Sequence, residues 1–322
     1  MDNITVVVLA NPTDPELALL EELPPETTLA VGNSPEAFAR AAPEADVILI
    51  WSGSGELLRQ VLPMCPRVRW VHSRSAGMDG LLPQELVESS VPVTNGSGVF
   101  SAPLGEFALA AILYFAKDLR RMNRNQEAGV WEQFDMPEIA GQTVGIAGYG
   151  DIGRAVAARV HPMGMRVLAL KRHVPAENAD PLVDQIYGPR ARLEMIGRSD
   201  YIVAAAPLTA ETRGMIGEPE FAAMKPEAVV INLGRGPVID DAAMVRALTS
   251  GRIKGAALDV FDNEPLPAGH PLYKLPNVLL SPHCADHTPD WLERAMRFFL
   301  RNFERFRRGD ALLNVIDKKL GY

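Results

Sequence analysis

Cysteine is scarce in this 322-residue chain. Its two cysteines, Cys65 and Cys284, are too few for a disulfide framework and suit a reducing compartment. Positive charge is in deficit as well: 32 Lys and Arg against 40 Asp and Glu leave a net charge of −8. That balance argues against nucleic acid or an anionic membrane as the main partner. The N-terminus, Met1-Asp2-Asn3-Ile4-Thr5-Val6-Val7-Val8-Leu9, places an acid where a secretory signal needs positive charge. Its apolar run is too short to span a bilayer, so it reads as a first core strand and the expected compartment is the cytoplasm. Solenoid repeats and low-complexity linkers are absent. Metal-ligand spacing is missing too. His283-Cys284-Ala285-Asp286-His287 comes nearest, but no second Cys/His cluster completes a site, and no metal is expected. His72, His161, His173 and His270 read as surface or capping residues. What is present is ordinary globular material, 47% hydrophobic and 22% charged, in a length that suits two domains.

Short β-branched runs alternate with helical stretches, which predicts an α/β fold of two doubly wound parallel-sheet domains, Rossmann- or flavodoxin-like, with a cleft between them. In the first hundred residues the expected strands are Ile4–Ala10, Asp46–Trp51, Val68–His72 and Val91–Thr94, with helices over Pro35–Ala42 and Gly55–Leu62. A long amphipathic helix is expected from about Ala102 to Asn125. In the second half the strands are Thr143–Ala147, Arg166–Leu170, Tyr201–Ala205, Ala228–Leu233, Gly255–Asp259 and Asn277–Leu280. The final helix, Pro289–Arg307, is expected to return to the first domain. The division is therefore residues 1–101 plus 286–322 for a substrate-binding domain and 102–285 for a nucleotide-binding domain.

The strand Val144–Ala147 breaks into Gly148-Tyr149-Gly150-Asp151-Ile152-Gly153, a G-x-G-x-x-G turn with a helical pattern after it. Gly148 permits the tight turn, Gly150 lets the backbone approach a pyrophosphate, and Gly153 allows close helix–sheet packing. The following helix directs its first N–H groups and its positive dipole end at the phosphates. The next strand ends in Lys171-Arg172, where an NAD site usually carries an acid for the ribose 2′-hydroxyl. A guanidinium pairs with a 2′-phosphate that a carboxylate would repel. NADP(H) is the expected cofactor, with Arg172 the stronger contact and Lys171 the second; NAD(H) stays open as the alternative.

Ligands of an open α/β sheet bind beyond the carboxyl ends of its strands. Those ends deliver Pro207, Gly234-Arg235-Gly236, Asp259 leading to Glu264, and Ser281-Pro282-His283. The cluster Arg235, Asp259, Glu264 and His283 is the catalytic candidate set. Together with Ala206-Pro207-Leu208-Thr209-Ala210-Glu211-Thr212, Ile231-Asn232-Leu233-Gly234-Arg235-Gly236, Ala257-Leu258-Asp259-Val260-Phe261 and Asn263-Glu264-Pro265, these motifs resemble the D-isomer-specific 2-hydroxyacid dehydrogenases. In the first domain Ser75-Ala76-Gly77-Met78-Asp79 resembles that family's substrate turn. The strand end at Lys171-Arg172 makes the chain most similar to its NADPH-dependent glyoxylate/hydroxypyruvate reductases.

The resemblance implies a role for each residue. Arg235 anchors the substrate carboxylate and carbonyl, His283 is the acid/base, and Glu264 holds its imidazole. Ser75, Ala76 and Gly77 bind substrate from the first domain. Gly148, Gly150, Asp151, Ile152, Gly153, Lys171, Arg172, Pro207, Thr212, Leu233, Gly234, Arg235 and Asp259 contact the cofactor, Asp259 at the nicotinamide carboxamide. The implied reaction is NADPH-dependent reduction of a small 2-oxo acid to the D-2-hydroxy acid. Alternatives are another dehydrogenase of the family, such as one acting on phosphoglycerate, and a non-catalytic NAD(P)-sensing scaffold of the same fold. The apolar helix from Ala102 and the loop carrying Trp131 and Phe134 suggest a homodimer. Departures from the family pattern are Cys284, Asp286 and His287 after the histidine, and Arg74 in the substrate turn, which suits either a second anionic group or a solvated loop.

Overall fold

The computed structural model describes residues 3–175 and 180–322; Met1 and Asp2 of the acidic N-terminus lie outside the described residues. The chain divides into two compact units, Met1–Phe100 with Thr288–Tyr322, and Ser101–His287. Each is a parallel sheet covered by helices on both faces, which is why their strands read as continuous apolar runs rather than alternating ones.

Unit 1 has β1 (Thr5–Leu9), β2 (Thr28–Gly32), β3 (Val47–Ile50), β4 (Trp70–Ser73) and β5 (Val93–Thr94). Their spatial order is β2-β1-β3-β4-β5, the flavodoxin-like winding. Val7, Ile48 and Val71 pack beneath Phe38, Leu58 and Val61 on one face. Val6, Val8 and Leu49 meet Met296, Phe299 and Phe303 of the C-terminal helix Trp291–Arg308 on the other. Trp70 stacks on Phe299 with ring centroids 5.4 Å apart. The expected helix over Pro35–Ala42 is a short 3₁₀ turn, Pro35–Phe38.

Unit 2 has β6 (Thr143–Ala147), β7 (Arg166–Leu170), β8 (Gln185–Tyr187), β9 (Tyr201–Ala204), β10 (Val229–Asn232), β11 (Gly255–Leu258) and β12 (Val278–Leu280). The order is β12-β11-β10-β9-β6-β7-β8. Winding reverses between β6 and β9, the switch point where doubly wound sheets take their ligands. Ile112, Val156 and Val160 cover one face, and Ile196, Phe221 and Leu248 the other. The single helix expected over Ala102–Asn125 is two, Ser101–Ala116 and Leu119–Glu127. Asp118 explains the break: it sits at φ 47° and its side chain accepts from the Arg121 N–H, starting a new helix. Beyond it, Val130, Met136 and Trp131 stand exposed, Trp131 to 95%. Among the described residues no helix is long and apolar enough to cross a membrane, and no cluster of His, Cys, Asp and Glu could hold a metal ion.

His72 is not the surface or capping residue expected. It lies on β4 with 1% exposure, because β4 is an inner strand covered on both faces. Its Nδ1 is 2.7 Å from Thr94 Oγ1, which also accepts from Trp70 Nε1, and its ring packs against Phe298 and Phe299. Burial pushes its pKa from 6.5 down to about 3. Between those values the unfolded chain binds a proton that the folded chain does not, so stability drops as pH falls through that window. Urea unfolding of His72→Gln across the same pH range should show a flatter acid limb than the parent. An unchanged slope would mean that His72 is not held neutral in the core.

Candidate active site

The glycine turn runs from β6 into the helix Asp151–Val160. Gly148 sits at φ 101°, and a Cβ there would stand 2.5 Å from the Ala206 backbone nitrogen. Two reasons thus exclude a side chain, a left-handed backbone and contact with the neighbouring strand end. A Cβ on Gly153 would meet the Gly148 carbonyl oxygen at 2.5 Å, so the helix lies tight on the turn. Gly150 is different: nothing lies within 4 Å of where its Cβ would be. That space opens at a helix N-terminus, beside Asp151 and Ile152, whose first-turn N–H groups have no intrahelical acceptor. Open room at a helix N-terminus fits a dinucleotide pyrophosphate.

At the end of β7 the Lys171 ammonium lies 5.8 Å from the Tyr149 ring, and Arg172 pairs with Glu211 at 2.9 Å. Glu211 follows β9, so this ion pair reaches across the β6 turn, because β6 lies between β7 and β9. Sequence reading quoted Glu211 within a motif but gave it no role; a pairing between residues so far apart along the chain leaves no local pattern. Nearby, the Tyr149 hydroxyl donates to Asp180 at 2.9 Å and Arg154 Nε donates to the same oxygen at 3.0 Å. Burial pushes the Tyr149 hydroxyl up, and the Asp180 bond adds to it. Pro207 and Thr212 form the loop after β9. There Thr212 Oγ1 donates to the Pro207 carbonyl at 2.6 Å and accepts from the Thr209 N–H at 2.8 Å, which shapes the loop from within.

The β10 end carries Leu233, Gly234 and Arg235. A Cβ on Gly234 would lie 2.7 Å from the Ala206 carbonyl oxygen, and one on Gly236 would collide with the Phe261 backbone. Buried Asn232 accepts from the Gly234 N–H at 3.2 Å and donates to the Arg235 carbonyl at 3.1 Å. This amide organises the arginine's backbone, and sequence reading missed it. The half-buried Arg235 side chain donates from Nη1 to the Gly234 carbonyl at 2.8 Å.

His283 follows β12 at φ 52°, a left-handed conformation that costs a residue with a side chain roughly 1–2 kcal/mol. Asp259, 1% exposed, holds it there. Its carbonyl accepts the His283 N–H at 2.9 Å, while Oδ1 accepts from Ser281 Oγ at 2.6 Å and from the Cys284 and Ala285 N–H groups at 3.0 Å each. Asp259 thus builds the loop that presents the histidine, a duty its motif position did not disclose. The imidazole Nδ1 lies 2.6 Å from Glu264 Oε2, and Glu264 Oε1 accepts the Phe261 N–H at 2.9 Å. The carboxylate is therefore itself fixed, and it fixes the ring. Both side chains keep partial exposure, 45% for the histidine and 34% for the glutamate. A pocket of about 620 Å³ opens beside them, walled by Phe261, Leu266, Tyr273 and Leu280. Asp286 Oδ1 is buried without a hydrogen-bond partner, 3.7 Å from His287 Nε2, and burial raises its carboxyl pKa.

In unit 1 the turn Ser75–Gly77 follows β4. Asn95, 3% exposed, donates to the Ala76 carbonyl at 2.6 Å, and Gly96 N–H donates to the Ser75 carbonyl at 3.2 Å. The turn's Ser75 and Ala76 carbonyls are thus occupied. Its Ala76 and Gly77 N–H groups donate to no acceptor among the described residues.

Residues 109–285 match the profile of the D-isomer specific 2-hydroxyacid dehydrogenase, NAD binding domain. A glyoxylate reductase of Korarchaeum cryptofilum is 33% identical over 267 residues, 81% of this chain and 80% of the relative. A D-3-phosphoglycerate dehydrogenase of Methanocaldococcus jannaschii is 30% identical over 95% of this chain, which spans 58% of that relative's length. Among solved structures, the NADPH-dependent glyoxylate/hydroxypyruvate reductase of Sinorhizobium meliloti, in complex with NADP and sulfate, superposes with a TM-score of 0.86. It is 27% identical, with 99% of this chain and 100% of that one covered. The chain belongs to the D-isomer-specific 2-hydroxyacid dehydrogenases and is an NAD(P)-dependent oxidoreductase.

Proposed function

We propose that the protein reduces a small 2-oxo acid of the glyoxylate or hydroxypyruvate kind to its D-2-hydroxy acid, with NADPH as the preferred cofactor. The observation that carries this reading is the His283–Glu264 pair at 2.6 Å. Reduction of a ketone needs a proton for the oxygen as well as a hydride for the carbon. With Nδ1 committed to Glu264, Nε2 is the nitrogen that meets the substrate, and the carboxylate stabilises the charged ring that gives up the proton. When bound, the nicotinamide supplies the hydride. Arg235 polarises the carbonyl and pairs with the carboxylate through its planar fork. In unit 1 the turn Ser75–Gly77 offers its unspent Ala76 and Gly77 N–H donors to a substrate carboxylate.

For the cofactor, Gly148, Gly150, Asp151, Ile152 and Gly153 receive the pyrophosphate. Pro207, Thr212, Leu233 and Gly234 line the adjoining strand ends, and Asp259 sets the loop beside the nicotinamide. Arg172 and Lys171 take the 2′-phosphate. The Arg172–Glu211 pair supports this rather than opposing it. Glu211 is 72% exposed, so water screens its hold on the guanidinium, and a phosphate carrying close to two charges competes well against one carboxylate. The relatives named glyoxylate reductase and the NADP complex of the Sinorhizobium enzyme support the same substrate and cofactor.

The assay is loss of nicotinamide absorbance with NADPH or NADH against glyoxylate, hydroxypyruvate, pyruvate and larger 2-oxo acids. Turnover with a small 2-oxo acid is expected, and His283→Ala should lower it by about two to four orders of magnitude. No turnover with any of them would sink the reductase reading, and near-normal turnover in the variant would remove His283 as the acid. Arg172→Ala should weaken NADPH roughly tenfold or more while leaving NADH nearly unchanged; equal losses would argue against a 2′-phosphate contact. We also propose a homodimer, from the exposed Val130, Trp131 and Met136 beyond the helix Leu119–Glu127. Light scattering should give twice the 35.1 kDa chain mass, and Trp131→Glu should shift it toward the monomer. A monomeric parent would end that proposal.

A further inference from the structure

Arg74 opens the turn whose N–H groups the proposed reading assigns to substrate. Its guanidinium lies 5.0 Å from the Trp51 ring and 5.4 Å from the Trp291 ring. Cation–π contact of this kind holds a guanidinium in place and leaves its N–H donors unspent. No hydrogen bond or ion pair of that guanidinium occurs among the described residues. Asp14 and Glu16 act on it through space only, and Asp14 is occupied by the Ser52 hydroxyl at 2.6 Å. Burial, the larger effect, pushes the Arg74 pKa down against the pull of those two acids.

Trp51 adds a second unspent donor. Its ring is 2% exposed, and its Nε1 is buried with no acceptor among the described residues. A buried donor without a partner is costly, and a ligand acceptor would recover that cost. The backbone beneath is rigid: Arg74 N–H donates to the Ile50 carbonyl at 3.0 Å, and a Cβ on Gly96 would stand 2.2 Å from the Arg74 carbonyl oxygen. The turn is therefore fixed and carries unspent donors, the N–H groups of Ala76 and Gly77 and the Arg74 fork, with the Trp51 indole lying under that fork.

We propose that Arg74 is a specificity-determining residue that selects 2-oxo and 2-hydroxy acids bearing a second anionic group, a carboxylate or a phosphate, beyond the carboxylate held by Ala76 and Gly77. This rests on the reading of Ser75–Gly77 as a substrate turn, and it narrows the proposed substrates from the monoanions glyoxylate and hydroxypyruvate to 2-oxo acids of similar size with a second charge. One carboxylate saturates the turn's two N–H donors, and a second anion is what the remaining donors lack. The two indole faces discriminate further, because they leave the cation little solvent and strengthen its preference for a full charge over a hydroxyl.

The test is binding as well as turnover. Calorimetry on the full chain with NADP compares tartronate, D-malate and D-3-phosphoglycerate with glycolate and D-lactate, for the parent, Arg74→Met and Arg74→Lys. At least one dianion should bind ten- to a hundredfold more tightly than the monoanions. Arg74→Met should erase that advantage while leaving monoanion binding within about twofold, and Arg74→Lys should keep part of it. A purely structural arginine would weaken both ligand classes alike. Equal losses, or a parent with no preference for any dianion, would overturn the proposal. Should Arg74→Met fail to fold, Arg74→Lys decides: an undiminished dianion advantage there would overturn it, and a reduced one with unchanged monoanion binding would support it. Loss of all turnover with an Arg74-dependent dianion preference retained would sink the reductase reading and leave this inference standing.

Discussion

Neither flank of Ala206 has room for another side chain. Gly148 approaches its backbone from the β6 end and Gly234 from the β10 end, each closer than a methyl group could stand. Three strand ends are thereby clamped at one residue, and Gly236 against the Phe261 backbone extends the contact to β11. Backbone packed on backbone is stiff, since no rotamer can relax it. The phosphate turn, the Arg235 peptide and the loop carrying Glu264 are all hung from this seam. A looser seam would spoil the relative aim of every group proposed for the chemistry, even with each residue present.

An acidic chain can bind an anionic cofactor because net charge and local charge answer different questions. The carboxylates near the candidate site are mostly engaged: Asp259 by four loop donors, counting its own carbonyl, and Glu264 by His283 and an amide. Engaged acids organise donors rather than repel ligands. Asp286 is the exception, a carboxylate beside the histidine loop whose Oδ1 is buried without a hydrogen bond. Its sequence position already marked it as a departure from the family pattern, and its surroundings show why it is costly to keep ionised.

Local motifs were legible and long-range pairings were not. The glycine turn, Arg235 and the strand ends of unit 2 could be read because each is encoded within a few neighbouring residues. Motif order then placed Glu264 and His283 together, although nineteen residues separate them in the chain. Edge strands β2 and β8 escaped notice, since Thr28–Gly32 begins with two exposed positions and Gln185–Tyr187 is only three residues long. Neither shows the apolar run of an inner strand. The helix break at Asp118 was missed because one left-handed residue can divide an otherwise unbroken pattern. Burial of His72 was equally invisible. A histidine on an inner strand looks, in sequence, like a polar residue at a strand end.

Unit 1 is assembled from both ends of the chain, and this dictates an order during synthesis. The sheet face of Val6, Val8, Leu49 and Trp70 is closed by Met296, Phe299 and Phe303. Until the ribosome has released the helix carrying those three residues, that face lacks most of its cover, whereas unit 2 is one continuous stretch synthesised beforehand. The nucleotide-binding half thus has its whole sequence before the helix that covers the earlier-made half is synthesised. Chaperone dependence in the cell should accordingly trace to the first hundred residues, waiting for a helix that is made near the end.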